Sequence, residues 1–427
     1  MSGVGKMGFG SKSVTLYDYL LRFLLVIFPV LPVNYYIGSF NYSNVCAILI
    51  LVVFILKHRD LKIKQLWRYN CLFWIFMLIH TVQILITGTF ITGISYFISH
   101  IVVCFVCIDY LSDEKRLMEL IDGIVLVGGI LGIVGVIEAL SGQYLIQGDL
   151  LNAQGGVRYG FLRCTTTFGH PIGFGLFQAI VALLAFYRIS CLKKGNKRNF
   201  LRVCYIIALI SCFLSVSRLA ICMLLACQVV FALKMGVNKV VRYLLIVLLG
   251  IFGLIVLSET LGYSFMANLV LDFVAGFREM FLGESSSKSD AIGFGNRLDL
   301  YEWVINDVGN QWLFGKGADA EFAYEMYEWF TKTSIEVQYL NIYFNFGIVG
   351  LGTLVLSYVG TLFYFIRSKK TSLKCEGKIS FRTFLIVVIF AYYICLFGVQ
   401  ETDTGRIYCL LVSMGIAYNR IVRKKCI

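Results

Sequence analysis

Runs of apolar residues recur along the whole chain, each closed by a short polar stretch. Runs of about 17 to 25 residues are what an α-helix needs to cross a bilayer. Twelve such segments are read at roughly 15–33, 41–57, 70–87, 91–109, 120–141, 170–189, 200–216, 218–234, 241–258, 337–366, 382–399 and 404–421. A transmembrane β-barrel would instead alternate apolar and polar residues in short segments. The pattern therefore predicts an all-α polytopic membrane protein with about 12 transmembrane helices. Residues 1–258 hold spans one to nine, 259–336 form one large loop, and 337–427 hold spans ten to twelve.

The loop has a pattern of its own. In GNRLDLYEWVINDVGNQWLFGKG, Leu298, Tyr301, Ile305, Val308 and Trp312 recur at helical spacing. This predicts an amphipathic helix lying on the membrane or capping a cavity, ended by FGKG. AEFAYEMYEWF, 320–330, reads as a second surface helix, and ESSSKSD, 284–290, as a turn or linker.

Composition agrees with this. The chain of 427 residues is 59% hydrophobic and only 15% charged, far too apolar for a soluble protein of this size. The first run has no small-residue cleavage site and reads as a span, not a removable signal. The 14 cysteines fall almost entirely in apolar runs or basic loops, with Cys164 the main exception. Cys104 and Cys107 form a CxxC in mid-helix without further ligands, which favours packing over metal or redox chemistry. His58, His80 and His100 stand alone in sequence, and no metal-ligand spacing occurs.

Charge sets the orientation. The stretches 57–68, 193–198, 239–242, 367–378 and 420–425 are basic, and with twelve spans all lie on one side together with Lys6 and Lys12. The positive-inside rule makes that side the cytoplasm, with both termini in it. From Glu259 to Glu336 there are five Lys/Arg and thirteen Asp/Glu, a net of −8, so the remainder of this +13 chain carries +21. The basic balance thus reports topology and lipid headgroups as partners, not nucleic acid.

Arginines on the far side run against that bias. VRYGFLRCTTTFGHPIGFG holds Arg158, Arg163 and His170, with Pro171 suited to the first turn of a helix. Guanidinium forks grip phosphate and stay charged, and a helix N-terminus adds partial positive charge. The competing reading is that these arginines snorkel to headgroups. SVSRLA puts Arg218 in a very short turn on the same side, Arg297 opens the loop helix, and Glu336 stands at the mouth of span ten. Asn341 and Asn345 follow it, and Gly347, Gly350 and Gly352 offer close helix contact. Glu401, Asp403 and Arg406 make the last turn on that side, with an orienting role expected. The inner thirds of the spans carry few charges, with Arg22 and Glu138 as exceptions.

Over about residues 90 to 420 this arrangement resembles the bacterial O-antigen ligase and O-antigen/capsule polymerase superfamily. The resemblance rests on Arg158 followed after ten residues by Gly169, on the Ser-x-Ser-Arg turn at 215–218, on Arg297 with Trp303 and LFGKG, and on Gly347-Ile-Val-Gly350. Where the family's ligases carry a histidine–asparagine pair ahead of that glycine motif, this chain has Glu336 and Val337.

The resemblance implies a GT-C-like fold in the plasma membrane with an extracytoplasmic active site. The implied activity is polysaccharide polymerase. A growing glycan passes from undecaprenyl diphosphate to a hydroxyl of the next lipid-linked repeat unit, with inversion and without metal or cofactor. Arg158, Arg163, Arg218 and His170 would meet the diphosphate. Glu336 and Arg297 would be catalytic, with Glu336 as base, and Asn341, Arg406 and Glu401 would support them. Trp303, Trp312, Tyr324, Tyr327 and Trp329 would stack on sugars or gate access. A separate chain-length regulator is an expected partner. The alternatives are a ligase, disfavoured by the missing histidine, and a lipid-linked oligosaccharide flippase, disfavoured by charges gathered on one face and by the lack of evident inverted repeats.

Overall fold

A computed structural model describes residues 16–32, 35–37, 40–57, 70–147, 156–158, 161–236, 294–327, 330–368, 378–400 and 404–425, with isolated positions between 253 and 271. Helices stand at eleven of the twelve predicted segments: α1 (Leu16–Ile27), α2 (Tyr42–Lys57), α3 (Cys71–Thr87), α4 (Phe90–Tyr110), α5 (Glu114–Ser141), α6 (Pro171–Cys191), α7 (Asn196–Leu214), α8 (Arg218–Met235), α10 (Gln338–Ile366), α11 (Phe381–Cys395) and α12 (Gly405–Lys425). The ninth predicted segment lies almost wholly outside the described residues. The loop contributes α9 (Phe294–Val308). Among the described residues α4, α5, α6, α8 and α10 are long and apolar enough to cross a membrane.

Local signals start and stop these helices. Asp113 caps α5 by accepting from the Arg116 N–H at 3.0 Å, and Gly142 ends it in the left-handed conformation, φ 68°. Ser217 caps α8 and Ser380 caps α11 in the same way. Pro29 turns the end of α1 into a short 3₁₀ segment, Phe28–Val30.

α6 is the central helix, buried from Phe174 through Arg188. α5 approaches it at Gly128, where an added Cβ would come within 2.5 Å of Val181. The Gln178 amide donates to the Gly128 carbonyl at 3.0 Å, a polar link between two apolar helices. α12 is the second buried helix, with Ile407 to Tyr418 enclosed. The peripheral helices turn large apolar side chains outward: Ile86 is 77% exposed, Phe23 58% and Phe363 56%. An apolar exterior around a close-packed interior is the surface a bilayer solvates. The chain is a multi-pass helical membrane protein.

Successive helices alternate in direction from α1 to α8 and again from α10 to α12, so the bundle has two chemically different ends. At one end acids and bases pair: Asp18 with Lys57 and Arg116, Asp122 with Arg188 and Lys197, and Glu119 with Arg22. Arg382 and Arg420 donate to the last carbonyls of α10 and of α4. Basic side chains at helix C-termini satisfy orphan carbonyls there. The other end carries the described residues 142–147, 156–158 and 161–170, the α7–α8 turn and the described loop residues from 294 onward. It is called the loop end below.

Candidate functional site: an arginine cluster at the loop end

The floor of the site is built around Glu138, fully buried in the last turn of α5. Its Oε1 accepts from the Leu145 N–H at 3.1 Å, and Oε2 accepts from the Thr165 and Thr166 N–H groups at 3.2 and 2.9 Å. One carboxylate thus satisfies three backbone donors and pins the segment after the β1 (Val157–Arg158) and β2 (Phe161–Leu162) hairpin onto the bundle. Gln147 donates its amide to the Phe168 carbonyl and fixes the other end of that segment. Two β-branched residues in this corner adopt left-handed backbone angles, Thr166 at φ 52° and Val216 at φ 49°. Such positions cost roughly 1–3 kcal/mol each and gather at functional sites.

Val216 lies in the α7–α8 turn, directly before the cap Ser217 and Arg218. The tightness of that turn leaves the Ser215 carbonyl to accept from Arg163 Nε at 3.0 Å. Arg163 is 8% exposed. Burial first, and then the charges of Arg158 and Arg218, bring its guanidinium down to about 10. Three arginines from three segments therefore share one corner, and like charges held together raise the positive potential they present. The Tyr144 phenol borders them and is raised by burial and by Glu138.

His170 immediately precedes α6 and caps it, its Nδ1 accepting from the Ile172 N–H at 3.2 Å. Burial and the nearby Arg163 hold this imidazole down to about 4, while Glu336 acts on it in the opposite sense. The ring is therefore neutral near pH 7. Glu336, in the strap before α10, is half-buried, with Ile335 and Val337 enclosed on either side. Arg158 and Arg218 thus act on Arg163, and Arg163 and Glu336 act in opposite senses on His170.

Of the remaining predicted site residues, two have side chains outside the described residues and two line another cavity. Arg297 stands in the first turn of α9, and its side chain lies outside the described residues, as does Glu401. Asn341 and Arg406 line a different cavity, whose described lining includes none of those five residues. Arg406 is 5% exposed and donates to the Phe28 and Leu31 carbonyls at 3.2 and 2.7 Å, closing the end of α1. Asn341 accepts from the Asn345 amide at 3.2 Å.

Residues 203–355 match the family model for O-antigen ligase. No curated protein matches the chain. The match agrees with the superfamily resemblance read from the sequence and supports a glycan-processing function of the O-antigen ligase/polymerase type. It includes Arg218, Arg297, Glu336 and the Gly347–Gly350 motif, and stops short of Arg158, Arg163 and His170. The fold is what joins those three to the matched region.

The loop of this O-antigen ligase-like chain departs from the sequence reading in four ways. First, the buried stripe of α9 is Leu300, Val304 and Val308, packed on Phe322, Ile335, Leu340 and Phe344. Ile305 and Trp312 of the predicted apolar face are 53% and 54% exposed, because the stripe is set by what covers α9 and not by a membrane alone. Second, the predicted helix at 320–330 is a hairpin, β3 (Tyr324–Tyr327) against β4 (Phe330–Lys332). Large side chains at Phe322, Tyr324 and Met326 alternate with the acidic or small Glu321, Ala323 and Glu325, the period of a strand. Third, Trp303 packs within the loop, its ring 5.0 Å from Phe322 and 5.5 Å from Tyr324. The side chain of Tyr327 and all of Trp329 lie outside the described residues.

The fourth departure concerns the glycines of α10. Gly347 sits at φ 63° and ψ −161° and interrupts the helix. The loop plugs the gap. Ile348 and Val349 N–H groups donate to the Trp312 and Leu313 carbonyls at 2.8 and 3.2 Å. Lys316 and Gly317 N–H groups donate to the Phe344 and Asn345 carbonyls at 2.8 and 2.9 Å. An added Cβ at Gly347 would lie 2.4 Å from the Leu313 backbone, and at Gly315 2.5 Å from the Asn345 backbone. Gly347 thus admits a loop, not a neighbouring helix, Gly350 faces Phe346 of its own helix, and Gly352 faces open space. The two LFGKG glycines and Gly347 were the sequence signals of this junction.

His80 and His100 are not isolated either. Tyr96 lies between them, its ring centroid 4.9 Å from His80 and 4.2 Å from His100, and both histidines line the cavity that holds Asn341.

Proposed function

We propose that this protein is a membrane polysaccharide polymerase that transfers a growing glycan from undecaprenyl diphosphate to a hydroxyl of a lipid-linked repeat unit. The observation that carries the proposal is the arginine corner, where Arg163 is buried against a backbone carbonyl beside Arg158 and Arg218. A diphosphate leaving group gains negative charge as the glycosidic bond breaks. Fixed guanidinium groups facing it stabilise that charge by about 3–4 kcal/mol per donor.

The acceptor hydroxyl must lose its proton as it attacks. Glu336 enters the corner from the opposite segment and is the base in this reading. His170, neutral and tied through Nδ1 to the helix start, offers its Nε2–H as a hydrogen-bond donor and not as a charge. Attack on the face opposite the diphosphate inverts the anomeric centre. In this topology the basic end faces the cytoplasm, and the loop end, with the active site, faces outward. Residues 259–336 form the extracytoplasmic loop, with Arg297 as a further catalytic cation. Asn341 and Arg406 hold the adjoining helix starts.

The description of the matched family favours a second reading, a ligase that passes the finished glycan to a different acceptor. Purified protein given defined lipid-linked repeat units decides between them. A ladder of lengthening products is the expected result. Transfer only when a non-repeat acceptor is added selects the ligase, and no transfer in either case defeats both.

A further inference from the structure

A cavity of ≈ 520 Å³ opens between α3, α4 and α10 at the loop end, apart from the arginine corner. That volume lies within the roughly 300–1,000 Å³ of small-molecule sites. His80 stands seven residues before the end of α3, so the cavity reaches about 10 Å into the bundle. Buried polar side chains at that depth are costly unless they serve a ligand or each other.

The lining has a definite chemistry. Gln338, Asn341, Asn345 and Gln400 bring four amides, each offering both donors and an acceptor. Tyr96 and Phe346 bring aromatic surface. No carboxylate occurs among the described lining residues, and Arg406, already donating to two carbonyls, is the one permanently charged group there. His80 is 7% exposed, and its Nδ1 is buried without a hydrogen-bond partner among the described residues. α4 widens into a π-helical stretch, Phe97–Val102, where it delivers Ser99 and His100 to the wall. Such π-segments frequently mark functional positions.

We infer that this cavity binds an uncharged sugar residue, its hydroxyls meeting the amides and His80 Nδ1 and its C–H face lying on the aromatic rings. Paired hydroxyls need partners that donate and accept in turn, which amides supply and cations do not. An anion would leave the acceptor oxygens of four amides facing negative charge. The inference rests on the glycan-transfer reading for the origin of the sugar, which would be part of a lipid-linked repeat unit held beside the arginine corner.

The test is saturation-transfer NMR on the full-length protein in detergent, with free neutral hexoses, N-acetylhexosamines and their disaccharides as probes. Transfer from at least one of them is expected. His80→Phe and Asn345→Ala should each weaken it by at least about tenfold, the loss of one or two hydrogen bonds. Arg163→Ala should leave it unchanged. If either cavity variant does not fold, Gln400→Leu at the rim replaces it. No transfer from any neutral sugar, equal transfer in wild type and cavity variants, or displacement by inorganic pyrophosphate would overturn the assignment. Because no glycosidic bond is made in this assay, its failure leaves ladder formation unaffected, and a missing ladder leaves sugar binding unaffected.

Discussion

Arg163 and Arg188 are both buried, and the protein holds them in opposite ways. Arg188 grips Asp122 through two hydrogen bonds of 2.6 and 2.9 Å, and Lys197 meets the same carboxylate at 2.7 Å. Among the described residues Arg163 leans on a single carbonyl, and it sits near charges of its own sign. A buried cation matched to a carboxylate is neutralised where it stands and fastens helices together. A buried cation gathered with others keeps its field for something that arrives. Arg188 is a structural use of arginine, and under the proposed function Arg163 is a binding use.

The two carboxylates give the widest contrast. Glu336→Gln should lower transfer by about 10² to 10⁴ while leaving the melting temperature near wild type. Asp122→Asn should do the reverse, and a chain-length ladder read beside thermal unfolding separates them. The arginines come next. Arg163→Ala is expected to cost about 10² to 10³ in rate. Arg188→Ala is expected to cost roughly 1–3 kcal/mol of stability by removing two charge-assisted hydrogen bonds, with Lys197 left as the partner of Asp122. Equal melting losses in these two variants would erase the distinction between the ends.

Smaller effects sharpen it further. Gly347→Ala places a Cβ 2.4 Å from the Leu313 backbone and should destabilise by about 1–3 kcal/mol, with proteolysis of the loop as the readout. The smallest effect is on pH dependence. His170 titrates near 4 in the folded protein against 6.5 when free, so the unfolded chain takes the proton first as pH falls. The stability from neutral His170 is complete above 6.5 and is lost progressively toward 4. His170→Asn keeps a capping side chain without that titration, so its melting temperature should vary less between pH 7 and 4.

The membrane bundle was legible because hydropathy and length are local properties. Helices fall within a few residues of the predicted segments wherever the chain is described. The approach of Arg158, Arg163, Arg218, His170 and Glu336 was legible only in part, since basic loops fix which residues share a face but not which touch. Glu138 read as an anomaly in a span, because its three partners are backbone groups that leave no mark in side-chain pattern. Asn341 and Arg406 were grouped with Glu336 by nearness in sequence or topology, and the turn of α10 and the end of α1 send them elsewhere. The segment 320–330 read as a surface helix from its acidic and aromatic composition, and the two-residue spacing of Phe322, Tyr324 and Met326 was the signal of the strand.

The interruption at Gly347 means that α10 is two rods in series. Its upper segment, Leu340 to Phe344, shares a core with α9, while the lower one packs on α3. Excising the loop would therefore strip a wall from the adjoining helix and leave four main-chain groups unsatisfied at membrane depth.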